Sequence, residues 1–460
     1  LKCLYRAIDI QEQRCLNIHV CQDPGNSKVV ILPRFLMRLP CDYLANCAIF
    51  STFVAVLDII EIYKRRVIAV VLLASNAYAA AMPDAEIDVP SDTAVSMTMV
   101  ADSVTVKKPG LIQRVINYFT DANKEHPDKA FDISFIGGPE YSSETGFGVG
   151  IIGSGLYTAG KQWRTDTVTP KSNVSLKFEV ATHQYYKGGA EGIHIFPKDR
   201  MRLIYDTYFY SFKDKMWGVG YDMGSDDANE SVFKRLEARV KLDYVVRLGP
   251  NMFLGPSGMF TYANARRVDN PELLCGQKDK IYTTGLGLTL LLDSRDFAPN
   301  AYRGVYVKVD QVFNPSFMGN KYAFSYTEAI AAVYCRAWRG AVIAPMVHAR
   351  FTYGDTPWSM MSTFGGSHYM RGYYEGRYRD KCVMDATVEL RQHVWGRNGI
   401  VVWLGAGTIF PNFAALRLDR VLPNGGIGYR WEFKKRVNVR LDVGFGRGEK
   451  GVNFSINEAF

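Results

Sequence analysis

No stretch of this chain supplies the roughly twenty consecutive apolar residues that a helix needs to cross a bilayer, although 47% of its 460 residues are hydrophobic. The segment Ala48 to Ile60 is apolar but broken by Asp58, and the run Val67 to Ala74 is far too short. Helical membrane passage is therefore excluded, leaving an exported soluble protein or a membrane-spanning barrel of strands. Catalytic signatures are equally scarce. Ser154 and Ser257 lie near glycines but not in a Gly-x-Ser-x-Gly elbow, the seven histidines are scattered, and no phosphate loop or metal-ligand spacing stands out. His348 and His393 could face a lumen, though packing or solvation accounts for them as well; Asp293 and Asp296 imitate a catalytic pair, yet a turn-stabilising role fits better. No Cys-x-x-Cys pair occurs among the eight cysteines. Basic clusters interleaved with aromatics are missing too, so the net charge of +9 does not point to nucleic acid. The expectation is a chain without enzymatic activity, cofactor or metal.

The cysteines are unevenly placed: Cys3, Cys15, Cys21, Cys41 and Cys47 come before residue 60, and only Cys275, Cys335 and Cys382 follow. Those three are too few for a framework, while one disulfide stays open in an oxidising compartment. The chain starts at Leu1 and its first methionine is Met37, so residues 1–60 read as a translated upstream extension, with a small cysteine-rich metal or disulfide module as the alternative. Residues 61–81 then combine Lys64-Arg65-Arg66, the apolar core from Val67 to Ala74 and an Ala77-Tyr78-Ala79-Ala80-Ala81 end. A positive flank, short apolar core and A-x-A end make a secretory signal peptide, cut after Ala79 or Ala81. Residues 82–130 are polar, except that Leu111, Ile112, Val115, Ile116 and Phe119 share one face of a short expected helix after Pro109-Gly110.

From Phe131 to Phe460 the pattern changes to a period of two. Leu236, Ala238, Val240, Leu242, Tyr244 and Val246 oppose Arg235, Glu237, Arg239, Lys241 and Asp243; Val437, Val439, Leu441, Val443 and Phe445 oppose Asn438, Arg440 and Asp442. A soluble sandwich alternates in the same way with its polar face outward. The inverted arrangement, apolar toward lipid and charged toward a wet lumen, is preferred here for three reasons. A signal peptide precedes the region, all seven tryptophans follow residue 79 as an interfacial belt requires, and the C-terminal strand alternates Val452, Phe454 and Ile456 before ending in Phe460. About seventeen strand candidates can be marked, near 131, 144, 171, 188, 201, 215, 232, 251, 280, 303, 321, 340, 382, 399, 424, 436 and 451. Because such barrels usually have an even strand number, one of the weaker candidates, 131 or 215, is expected not to be separate.

One stretch organises the whole: Phe364-Gly365-Gly366-Ser367-His368-Tyr369-Met370-Arg371-Gly372-Tyr373-Tyr374-Glu375-Gly376-Arg377, followed by a strand in which Glu389 lies on the polar face. An arginine of the loop held against an inward carboxylate would pin the loop by a charge-assisted, bidentate hydrogen bond. The stretch resembles the Arg-Gly-Phe/Tyr loop of the BamA/TamA (bacterial surface antigen) superfamily of outer-membrane barrels. Phe135-Ile136-Gly137-Gly138-Pro139-Glu140-Tyr141-Ser142 resembles the opening of its short members, and Asp293-Ser294-Arg295-Asp296 with Asn300 and Arg303-Gly304 resembles its Asp-x-Arg-Asp turn. Phe454, Ile456 and Phe460 look like the terminal insertion signal of outer-membrane barrels.

The resemblance covers residues 131–460. It implies an all-β fold, a transmembrane antiparallel barrel of sixteen strands in the outer membrane of a Gram-negative bacterium, with the loop folded inward. It also implies a loop lock of Arg371, Gly372, Tyr373 and Glu389, and a seam between first and last strands. The expected task is insertion or translocation of outer-membrane proteins or envelope components, with a passive pore or partner-anchoring barrel as the alternative. Expected partners are outer-membrane lipid and lipopolysaccharide, which the positive charge suits, together with outer-membrane protein substrates and periplasmic subunits. Two departures appear. Residues 82–130 are too few for a polypeptide-transport-associated module. The family's second acid, in its Phe-x-Asp-x-Gly element, falls in Val402-Trp403-Leu404-Gly405-Ala406-Gly407, where Gly405 takes its place. Glu389 is then the expected partner of Arg371.

Overall fold

A strand that is apolar on one side and charged on the other must bury one of them, and this chain buries the charges. The computed structural model describes residues 20–21, 30–31, 131–142, 145–160 and 169–460. The chain divides into two units, Leu1–Val104 and Thr105–Phe460. In the first, a two-residue ladder pairs Val20–Cys21 with Val30–Ile31. The expected extension, signal peptide and short helix otherwise lie outside the described residues.

The second unit is one sixteen-stranded antiparallel sheet in which each strand pairs with the next in sequence. Its strands are β1 (Phe131–Ser142), β2 (Gly146–Tyr157), β3 (Ser172–Ala181), β4 (Tyr185–Ile195), β5 (Met201–Met216), β6 (Ser231–Gly249), β7 (Met252–Arg266) and β8 (Lys280–Asp293). They are followed by β9 (Gly304–Asn314), β10 (Phe324–Arg336), β11 (Ala341–Gly354), β12 (Cys382–Trp395), β13 (Asn398–Phe410), β14 (Leu422–Lys434), β15 (Val437–Phe445) and β16 (Lys450–Ile456). The candidate near 131 is a strand, and the one near 215 is the end of β5. Residues 201–216 contain no Gly, Pro or Asn at which a turn would form.

On β6, Val240, Leu242, Tyr244 and Val246 are 38 to 43% exposed, whereas Glu237 and Asp243 are each 1% exposed. The same inversion runs round the sheet, with Phe178, Leu286, Val347, Leu404 and Ile427 outward. Inward charges neutralise one another. Lys308 Nζ lies 2.6 Å from Asp243 and 2.9 Å from Asp310, Lys241 also reaches Asp310, and Arg235 joins Asp214 at 3.1 Å to Glu237 at 2.6 Å. Such pairing is what makes burial of charge tolerable.

Sixteen being even, the sheet starts and finishes at the same end, called here the terminal end; the opposite, loop end carries the 27-residue connection 355–381 between β11 and β12. The expected closed barrel is not fully formed. Among the described residues no ladder joins β1 to β16. β16 is seven residues long, and Asn457 follows it at φ 65°, turning the chain away from the strand direction. One buried apolar cluster nevertheless gathers Ile152 of β2 with Phe433, Val439 and Ile456. Cys275, Cys335 and Cys382 are free thiols, so the disulfide left open for them is absent.

Candidate functional site: a loop docked in the lumen

The connection 355–381 returns into the barrel instead of standing in solvent. A two-residue ladder, Ser362–Thr363 with Arg379–Asp380, closes its base. Phe364, Met370, Tyr373 and Tyr378 then pack with Val383, Ile409 and Leu422 of the wall in one buried cluster. Tyr373 Oη donates to Pro423 O at 2.7 Å and accepts from Arg447 N at 2.7 Å. Tyr369 stacks on His348 of β11 with ring centroids 3.9 Å apart, and His348 Nδ1 lies 2.7 Å from Asp385.

At the centre is Arg371, 1% exposed. Its Nη2 contacts Glu389 Oε1 on β12, its Nη1 lies 2.7 Å from Asp442 Oδ2 on β15, and its guanidinium sits 3.8 Å over the Trp403 ring on β13. Asn424 of β14 ties these together: its Oδ1 accepts from Trp403 Nε1 at 2.9 Å and its amide donates to Arg371 O. Four consecutive strands therefore hold one residue, three of them through its side chain and β14 through its backbone carbonyl. Gly372, at φ 119°, follows; a Cβ there would stand 2.7 Å from Gly444 C and Phe445 N. Gly444 in turn has room for no side chain, because its Cβ would collide with Arg371 O and come 2.8 Å from Gly372 N. The loop and β15 thus meet backbone to backbone, which only glycine on both sides permits.

Around this contact the charges form a network. Arg391 Nε reaches Glu389 at 2.8 Å, Arg430 bridges Asp442 at 2.6 Å and Glu458 at 2.8 Å, and Arg440 donates to Ser367 O of the loop at 2.9 Å. Four guanidiniums, those of Arg371, Arg391, Arg430 and Arg440, face three carboxylates.

The structure brings Arg371, Gly372, Tyr373 and Glu389 together as one site. It corrects the second partner of Arg371, which is Asp442 of Leu441-Asp442-Val443-Gly444. The stretch around Gly405 supplies Trp403 as a platform instead. Gly405 has no space for an acid, since even a Cβ would lie 2.7 Å from Thr387 Oγ1. Alternation puts Asp442 on the polar face of its strand, and Gly444 two residues on is the available signal. Trp403, Asn424, Arg391 and Arg430 carried none beyond their inward register.

The Asp-x-Arg-Asp turn lies at the terminal end. Asp293 accepts from Arg295 N at 3.2 Å and pairs with the Arg295 side chain at 2.9 Å and with Arg202 at 2.9 Å. Asp296 accepts from the backbone N–H groups of Tyr302 at 2.9 Å and Arg303 at 3.3 Å and pairs with Arg436 at 2.9 Å. Partial burial would raise the Asp296 carboxyl, but these N–H groups and the Arg436 guanidinium outweigh it and hold the group below the usual range. His393 is exposed near the same end.

The face expected to carry Phe454, Ile456 and Phe460 together is corrected in part. Phe454 and Ile456 are on β16, with Ile456 buried, but Phe460 has left the strand for the lumen. Its ring lies 5.1 Å from the Arg391 guanidinium and its carbonyl accepts from Arg391 Nη2 at 3.1 Å, while Glu458 accepts from Asn438 at 2.7 Å. The inward turn at Asn457 breaks the period that put Phe460 with the other two. Ala459 O lies 2.9 Å from His368 Nδ1, so the tail touches the loop.

No protein-family model matches this sequence, and no curated protein matches it. Solved structures similar to it include BamA from Haemophilus ducreyi lacking POTRA domains 1-3, at 13% identity over 73% of this chain and 70% of that one, TM-score 0.46. CdiB from Acinetobacter baumannii is 10% identical over 72% and 60% of the two chains, TM-score 0.44. CdiB from Escherichia coli is 11% identical over 72% and 64%, TM-score 0.46. The chain therefore spans less than two thirds of either CdiB structure.

Proposed function

We propose that this chain is an outer-membrane barrel of the surface-antigen type that acts in inserting or translocating outer-membrane proteins or envelope components. The observation carrying the reading is the lumen loop fixed by Arg371 between Glu389 and Asp442, with Gly372 seated on Gly444. Four strands converge on that one loop arginine, so the position of the loop is tied to the wall beside the first and last strands. The seam adds to the reading: β1 and β16 end the sheet without pairing, and unpaired strand edges template an incoming strand. Loop and seam are adjacent, because β15 carries Asp442 and Gly444 and pairs with β16. In this reading the chain has no catalytic role; its partners are outer-membrane lipid and lipopolysaccharide, outer-membrane protein substrates, and periplasmic subunits.

The test is depletion of the protein in its native membrane, followed by quantitative proteomics of the outer membrane and recovery of its partners in gentle detergent. Loss of other barrels, with chaperone-like subunits or nascent strands co-purifying, is the expected result. An unchanged outer-membrane proteome, a protein recovered alone, and steady conductance in planar bilayers would replace it with a passive pore.

A further inference from the structure

At the terminal end an open cleft of about 460 Å³ lies beneath the β10–β11 and β12–β13 turns. Five arginines line it, Arg336, Arg339, Arg391, Arg397 and Arg430, against the two carboxylates Glu432 and Glu458. Glu458 is already held by Arg430 and Asn438. Arg391 and Arg430 are 6% and 3% exposed, and Arg391 Nη1 and Arg430 Nη2 have no hydrogen-bond partner. Both guanidiniums approach the same oxygen, Glu458 Oε2, at 3.9 and 2.8 Å, so they adjoin. Buried N–H groups without acceptors are costly, and an anion with several oxygens would satisfy them.

The outer margin of the cleft has a different chemistry. Trp338 and Ile400 line it and are 56% and 44% exposed, and Val394 and Trp395, 46% and 65% exposed, lie in sequence between the lining residues His393 and Arg397. Trp338 Nε1 donates to Gln392 Oε1 at 2.8 Å, fixing the indole at the rim. Guanidiniums inside and indoles outside suit a ligand that is anionic at one end and apolar at the other. Indoles at the edge of a barrel sit at headgroup level, and basic recesses there take phosphate headgroups.

We infer that this cleft binds the phosphate-bearing headgroup of an anionic phospholipid of the adjoining leaflet. Arginines take the phosphate oxygens through paired N–H groups, and Trp338 and Trp395 cover the glycerol and first methylenes. Free phosphate would satisfy the arginines and leave the indoles bare. The inference rests on the membrane-barrel reading and is independent of any role in assembly.

The experiment is native mass spectrometry of the full chain in detergent with phosphatidylglycerol, phosphatidylcholine or inorganic phosphate added, alongside heat-modifiable gel mobility to report the barrel itself. Selective retention of phosphatidylglycerol is expected. Arg336→Ala with Arg339→Ala should weaken it by roughly fivefold per arginine, as for basic residues at a membrane surface. Trp338→Ala with Trp395→Ala should weaken the lipid while leaving phosphate binding unchanged. Equal retention of the two lipids, an unaffected arginine double variant, or full displacement of the lipid by millimolar phosphate would each overturn the assignment, the last by showing a free-anion site. Loss of heat-modifiable mobility in the parent chain would instead count against the barrel reading.

Discussion

Replacing Arg371 by Ala removes one of four guanidiniums from a network with three carboxylates, so the acids left behind are not orphaned. Glu389 keeps Arg391, and Asp442 keeps Arg430 and Arg440. Breaking a buried ion pair usually costs about 3 to 5 kcal/mol; retained partners place this case near about 3 kcal/mol, the loss falling on the loop and not on the wall. That corresponds to a shift of roughly 150-fold toward the undocked loop. Hydrogen exchange reads it directly, because Gly366 N bonds Tyr373 O at 3.2 Å and Gly376 N bonds Phe364 O at 3.1 Å only within the folded loop. Their exchange should accelerate by up to that factor while the strand amides stay protected. Arg417→Ala is the control: it pairs with Asp419 at the surface, both side chains more than half exposed, so its loss should leave loop exchange near the parental rate. Equal exchange in Arg371→Ala and the parent, or equal effects of the two substitutions, would refute the docking argument.

Gly444→Ala should undock the loop without touching a charge, since its methyl collides with Arg371 O; protection of the loop amides at parental levels would show that the close backbone contact does not hold the loop. Asp442→Asn should cost more than Arg371→Ala, about 3 to 5 kcal/mol, because Arg371, Arg430 and Arg440 all lose a carboxylate, and the heat at which gel mobility shifts would measure it. Asp296→Ala removes two N–H acceptor contacts at about 1 kcal/mol each. With its carboxyl held low, the stabilisation by Asp296 is present above the ordinary aspartate range and fades as pH falls through the lowered value; a turn equally stable in parent and variant at neutral pH would refute this. Cys275, exposed in the 267–279 loop, and Cys335, exposed beside the terminal end, report orientation. A membrane-impermeant maleimide on intact cells should label Cys275 and spare Cys335, and the reverse would invert the barrel.

How far the sequence spoke depended on distance along the chain. Alternation such as Val240, Leu242, Tyr244 and Val246 against Lys241 and Asp243 is local, so strand positions and the inverted burial could be read from it. Arg371 and Glu389 are 18 residues apart on one loop and the next strand, close enough for facing and charge to nominate the pair. Asp442 is 71 residues from Arg371, and its nomination required knowing which strand faces the loop across the lumen, which periodicity does not contain. The same holds for Trp403 and Asn424. Phe460 departs for the opposite reason: a local period that would place it with Phe454 and Ile456 ends at Asn457, a single left-handed residue.

The network also links the loop to the seam. Asp442 holds Arg371 on one side and Arg430 on the other, and Arg430 passes to Glu458, which follows the seam strand β16. Undocking the loop takes Arg371 from Asp442 and Glu389, so these acids hold Arg430 and Arg391 more strongly and draw them from Glu458, while freeing the tail likewise leaves Arg430 and Arg391 to bear more strongly on Asp442 and Glu389. The two events share acids, so their energies should not add. A cycle of Arg371→Ala, Glu458→Gln and the double variant, read by hydrogen exchange of loop and β16 amides, should give a coupling of about 1 kcal/mol or more. Strict additivity would mean that the loop lock and the seam are neighbours without communication, and that the state of the loop does not set the state of the edge.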